Sequence, residues 1–265
     1  MKLGIINGYS ASSFDYVKSI GLDFIEVCRN DDNEAADFIA KADSVKTEIK
    51  RTGLPIQSVG RWNCISNVGG RLDADKLALQ QGLLDAAIKV GSPNFVCGIN
   101  YDDSVSLYRN LTLAIEFFGK MIEQAKASGS GIKIAAYNCS WGNFVYEPNV
   151  WKVVLGELPE LMIKYDCSHS CGRGADYLAE LSDWGDRIAH MHVKGFVSAG
   201  RRGVDDPPAG IDSINWPTVF AILYSRGYDA GLSIEPHSAT WRGDSELGKA
   251  GVMFTTEYIR RFILR

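Results

Sequence analysis

The sequence predicts an α/β protein made of one closed (β/α)8 TIM barrel, and three observations carry that prediction. A unit of amphipathic helix, glycine, short β-rich apolar run and polar loop recurs at roughly one per 30 residues. Eight runs qualify as strands, which favours closure over an open doubly wound sheet. No linker or low-complexity stretch divides the 265 residues, so a single domain spanning 1–265 is expected.

The strands follow in order. Met1 to Asn7 opens the chain with an apolar run, and Leu22–Val27, Leu54–Val59 and Asn94–Cys97 come next. Ile132–Ala136, Leu161–Tyr165, Arg187–Val193 and Gly231–Glu235 complete the set. Gly21, Gly53, Gly91, the Ser128–Gly131 stretch and Gly227 precede five of them. Glycine suits the left-handed position that ends a helix, so its recurrence marks helix-to-strand junctions. Between them, Leu107, Leu111, Ile115, Phe118, Ile122 and Ala125 form an apolar stripe at helical spacing, and Leu77, Leu84 and Ile88 form another. Asn215, with Pro217 behind it, reads as a capped helix start. No GxGxxG or phosphate loop follows the first strand, which weakens a nucleotide-binding reading.

Composition sets limits on function. A net charge of −4 offers no footprint for a phosphate backbone, so no nucleic-acid partner is expected. The six cysteines form no CxxC and several lie in apolar runs, which predicts reduced, buried thiols. With no signal-like N-terminus and no run long enough to span a bilayer, a cytoplasmic enzyme without membrane contact is expected.

In a barrel of this kind chemistry gathers where strands end. The sixth strand runs into Asp166 and His169, the seventh carries His190 and His192 on one face, and the eighth ends in Glu235 with His237 close behind. All four histidines of the chain fall at these ends. One alone would be an ordinary hydrogen-bonded core residue; four beside two carboxylates point to a metal or acid–base site.

The run Asp166-x-x-His169, the segment Arg187–Lys194 holding both histidines, and Gly227–Glu235 resemble the xylose-isomerase-like superfamily of sugar isomerases and epimerases. The likeness is greatest to the ketose 3-epimerase and sugar-phosphate isomerase/epimerase branch. The layout agrees over nearly the whole chain, and the motifs from about residue 131 onward. The resemblance implies a divalent metal (Mn²⁺, Mg²⁺ or Co²⁺, with Zn²⁺ also compatible) held by Asp166, His192 and Glu235. It also implies substrate contacts from His169 and from Arg201 or Arg202.

Two departures stand out. Where the family has a metal-binding glutamate on strand five, this chain has Tyr137-Asn138-Cys139. Asn138 or water is then expected to fill the coordination gap, Tyr137 to act as an acid–base group or a pocket wall, and Glu147 to be a remote substitute. After strand seven, Gly195 follows Lys194 where relatives often carry aspartate. Lys194 is expected either to touch substrate or to form a rim ion pair. Trp62 and Glu26 are further candidates for substrate binding, with Tyr9, Asn100 and Tyr101 weaker ones.

The implied function is a metal-dependent sugar isomerase or epimerase acting on a small-molecule sugar. Glu235 would take a proton beside a carbonyl and the metal would stabilise the enediolate. Loss of the strand-five glutamate keeps a lyase acting on a 3-keto-glycoside open, and a non-catalytic sugar-binding barrel as well. Four histidines and a net charge of −4 argue against an endonuclease-IV-type nuclease, which needs a larger zinc cluster and positive charge for DNA. Assembly into a homo-oligomer is expected by analogy alone.

Overall fold

The computed structural model describes residues 1–200, 202–242 and 245–264. Eight parallel strands close into a barrel: Lys2–Ile6, Ile25–Cys28, Ile56–Gly60, Asn94–Cys97, Lys133–Tyr137, Met162–Asp166, Ile188–Val193 and Gly231–Ile234. Each pairs with its neighbours in chain order, and the first closes on the eighth. All eight lie within a few residues of the expected runs. Gly53 (φ 77°) and Gly227 (φ 67°) hold the left-handed turns that return the chain from a helix toward its next strand.

Helices cover the outside of the barrel. The helix Leu107–Ser128 is capped by the Ser106 side chain and buries Leu113, Phe117, Phe118, Met121, Ile122 and Ala125 against the strands. Of its expected stripe Phe118, Ile122 and Ala125 are buried, Leu111 and Ile115 are half-buried, and Leu107 is exposed. Asn215 caps the helix Trp216–Ser225 by accepting from Thr218 N. With apolar side chains outside and a filled interior within, the seventh strand is buried at all six positions.

Two antiparallel ribbons escaped the sequence reading. Asn67–Val68 pairs with Arg71–Leu72 after the third strand, and Val197–Ala199 with Arg202–Asp205 after the seventh. At two to four residues each, these strands are too short to show a period.

Register sets the site. Asp166 is the Cα partner of His192, and His192 of Ser233. Since side chains alternate along a strand, Lys164 and Asp166, then His190, His192 and Lys194, then Ser233 and Glu235 all turn toward the barrel axis. Below them the Phe24 ring fills the floor: a Cβ on Gly231 would stand 3.0 Å from it, and one on Gly4 would collide with it. Among the described residues all six cysteines are free thiols and no helix is long and apolar enough to cross a membrane.

Candidate active site

At the C-terminal ends of strands six to eight, Asp166, His192 and Glu235 turn one ligand atom each to within 4.8 Å of the others. His192 Nδ1 lies 3.2 Å from Glu235 Oε2 and 3.9 Å from Asp166 Oδ2. Its other nitrogen, Nε2, meets Glu26 Oε2 at 3.0 Å, and the same carboxylate oxygen takes His190 Nε2 at 2.7 Å. His169 Nε2 stands 3.5 Å from Asp166 Oδ2. The Lys194 ammonium lies among these groups, 3.2 Å from Asp166 Oδ2 and 2.8 Å from Glu235 Oε2.

Charge balance follows from that packing. Burial pushes the Asp166 and Glu235 carboxyls up, but Lys194 reverses this, aided by His169 at Asp166 and His192 at Glu235, and leaves both below the ordinary range. Burial also favours neutral Lys194, yet the two carboxylates hold its ammonium above its ordinary value. Glu26 is likewise held low against burial by His192 and His190. Burial pushes His169 down to about 3 against the pull of Asp166, so its ring is neutral at pH 7.

Several of the expected site residues are engaged by other parts of the chain. Asn138 turns its amide to the Asp166 backbone: its Oδ1 accepts from Asp166 N at 2.9 Å and its Nδ2 donates to Asp166 O at 2.9 Å. Both ends of the amide are spent on locking the strand that carries Asp166. Tyr137 is buried, with its hydroxyl donating to Trp141 O at 2.8 Å and accepting from Asn63 N at 3.1 Å. Burial pushes its phenol well up. Glu26 is fully buried and meets both His190 and His192 through its carboxylate. Glu147 begins the helix Pro148–Glu157 and lines a neighbouring cleft with Tyr101 and Phe144.

Other expectations fall where they can act. Trp62 lies across the mouth, its ring centroid 5.5 Å from that of His192 and 6.0 Å from that of Tyr137. A cleft of about 390 Å³ beside the cage is lined by Asn138, His169, Arg173, Lys194, Asp206 and His237. Arg201 lies outside the described residues, and Arg202 is exposed on the ribbon that follows strand seven.

Three contributors went unnoticed in the sequence. Lys164 is buried with its ammonium 4.8 Å from the Trp62 ring. Its place two before Asp166, on the same face of the strand, was the available signal. Asp206 accepts from His237 Nδ1 at 2.7 Å, and Asp205 from Trp241 Nε1 at 3.0 Å, which ties the loops after strands seven and eight together twice. Neither aspartate had a local signature. Gly195 stands in place of the expected acid because a Cβ there would strike the Pro207 carbonyl oxygen and lie 2.7 Å from Asp212 Cβ.

A family model described as xylose isomerase-like TIM barrel matches residues 14–257. The chain belongs to that family. Solved structures similar to it include 3-keto-D-glucoside 4-epimerase YcjR from E. coli in its apo form, at 16% identity and a TM-score of 0.74 over 98% of this chain and 99% of that one. D-psicose 3-epimerase from Clostridium cellulolyticum H10, solved with D-tagatose, gives 15% identity and a TM-score of 0.78 over 99% of each chain. An L-ribulose 3-epimerase gives 14% and 0.74 over 99% of this chain and 94% of that one. At such identities these likenesses establish the fold. No curated protein matches the chain.

The xylose isomerase-like barrel raises the matter of a divalent metal, and the donor set here fits one. Asp166 Oδ2 is buried and accepts no hydrogen bond among the described residues. His192 presents Nδ1 to the carboxylates while Glu26 holds its other nitrogen, the carboxylate–histidine pairing that orients a ligating imidazole. Asp166, His192 and Glu235 are therefore the residues that would hold such an ion.

Proposed function

We propose that this protein is a sugar isomerase or epimerase that moves a proton at a carbon next to a carbonyl, with a divalent cation held by Asp166, His192 and Glu235. The convergence of those three side chains, backed by Glu26 behind His192, carries the reading. The structural likeness to ketose 3-epimerases and to a 3-keto-glucoside epimerase supports a keto sugar as substrate.

Glu235 is the base. It is ionised at neutral pH, and among the described residues its Oε2 alone is spent on His192 and Lys194. Its Oε1 is left to take a proton from a sugar carbon presented over the cage. A bound divalent cation would supply Lewis-acid charge that makes this proton acidic. Neutral His169 lines the cleft and donates a hydrogen bond to a sugar oxygen, and the Trp62 ring offers an apolar face to the sugar C–H groups. Burial of Asp166, His192 and Lys194 keeps bulk water from the cage.

A single base also suits β-elimination from a 3-keto-glycoside, and the missing strand-five glutamate favours that second reading. Incubation of the Mn²⁺-treated protein with D-psicose, D-tagatose, L-ribulose or a 3-keto-D-glucoside in D2O tests both. Deuterium entering the sugar without bond cleavage supports isomerase or epimerase action, and release of the aglycone supports the lyase. Absence of exchange and cleavage with all four would count against the proposal.

A further inference from the structure

We propose that the Lys194 ammonium is a resident occupant of the cation seat between Asp166 and Glu235, so that a divalent ion and Lys194 exclude each other there. This inference rests on the metal-cage reading above and specifies how the cage is loaded.

The geometry points to it directly. Two buried carboxylates facing one another repel, and burying them without a counter-charge is costly. Here the counter-charge is internal: Nζ stands 3.2 Å from Asp166 Oδ2 and 2.8 Å from Glu235 Oε2, with the side chain 2% exposed. These oxygens belong to the very residues that, with His192, form the three-donor group. Lys194 reaches them because it follows His192 by two residues on the same face of the chain.

A divalent ion placed among the same oxygens would sit a few ångströms from the ammonium, where like charges in a buried site repel strongly. Lysine can yield. Its charge is compact and its four-carbon stem is flexible, unlike the rigid fork of arginine. The cleft that Lys194 already lines, with Asp206 and His237 on its rim, gives the ammonium somewhere to go. Metal binding is then an exchange of one monovalent for one divalent cation. Measured affinity is the ion's attraction to the cage less that of the displaced ammonium.

The test is Mn²⁺ binding to the full chain, followed by electron paramagnetic resonance and titration calorimetry, for the wild type, Lys194→Met and Lys194→Arg. The methionine variant should bind Mn²⁺ about tenfold tighter or more, and the arginine variant no tighter than wild type. Equal or weaker binding by the methionine variant overturns the exchange, as does an arginine variant that binds as tightly as the methionine one. A wild-type crystal soaked in Mn²⁺ decides the matter if Lys194→Met fails to fold. The ion must be bound with Nζ withdrawn from both carboxylates, and an ion bound with Nζ unmoved refutes the proposal. If neither wild type nor variant binds Mn²⁺, the cage itself falls and the exchange with it. If the wild type binds but the variants show no gain, only the exchange falls.

Discussion

Asn138 and Asp166 clasp each other through two hydrogen bonds, Asp166 N to Asn138 Oδ1 and Asn138 Nδ2 to Asp166 O, each 2.9 Å long. A side chain that supplies both a donor and an acceptor to one neighbouring residue fixes where that residue's carboxylate points. Asn138→Ala should cost about 2–5 kcal/mol, because it strands a buried N–H and a buried C=O. Urea unfolding measures this. Mn²⁺ affinity should fall as well, by roughly 10–100-fold, as it does when an outer-shell partner is lost.

Tyr137→Phe separates a wall from an acid. Its hydroxyl bridges Trp141 O and Asn63 N, so removal should cost about 1–2 kcal/mol of stability. Solvent deuterium exchange into a reactive keto sugar should stay within about tenfold of wild type. A loss of ~10²–10⁴-fold would restore Tyr137 as a proton carrier.

Glu26→Gln probes the support behind the histidines. An amide still accepts from one imidazole, but it no longer supplies charge to His192. Mn²⁺ binding should weaken by roughly 10–100-fold while the circular dichroism spectrum stays unchanged. Undiminished binding would mean that the Glu26–His192 bond plays no part in holding an ion.

The sign of the pH dependence follows from Lys194. With its ammonium present, Asp166 and Glu235 titrate below their ordinary values. The folded state therefore binds fewer protons than the unfolded chain, and their contribution is present above about pH 4 and lost as pH falls through the lowered values. Lys194→Met removes the largest charge opposing burial, so both carboxyls should then titrate higher than they do in the wild type. The variant's melting temperature, relative to wild type, should drop as pH rises from about 4 toward 7. A constant difference across that window would contradict the assignment.

Gly195→Asp, which places the acid that the family resemblance led one to expect, should destabilise the protein by more than about 2 kcal/mol or prevent its expression. The new Cβ meets the Pro207 carbonyl and Asp212 before any charge is considered. Thermal melts would show it.

Much of this was legible in the sequence. Glycines before strands and the period of the helices gave the barrel, because backbone preference and local burial pattern encode those features residue by residue. Asp166, His192 and Glu235 could be brought to one rim for the same reason: each ends a strand, and parallel register aligns strand ends. Partnership was less legible. Whether Asn138 faces an ion or the backbone of Asp166 depends on a contact across 28 positions of chain. That Lys164 lies near Trp62, or that His237 pairs with Asp206, depends on loops and strands meeting in space. Glu26 was visible at a strand end, but its depth beneath two imidazoles was not.

The double tie between the loops after strands seven and eight, Asp205 to Trp241 and Asp206 to His237, makes those segments mechanically one piece. A sugar that displaces either segment has to break or carry both of these contacts. A substitution at Trp241 would then be felt at His237, with no ligand passing between them.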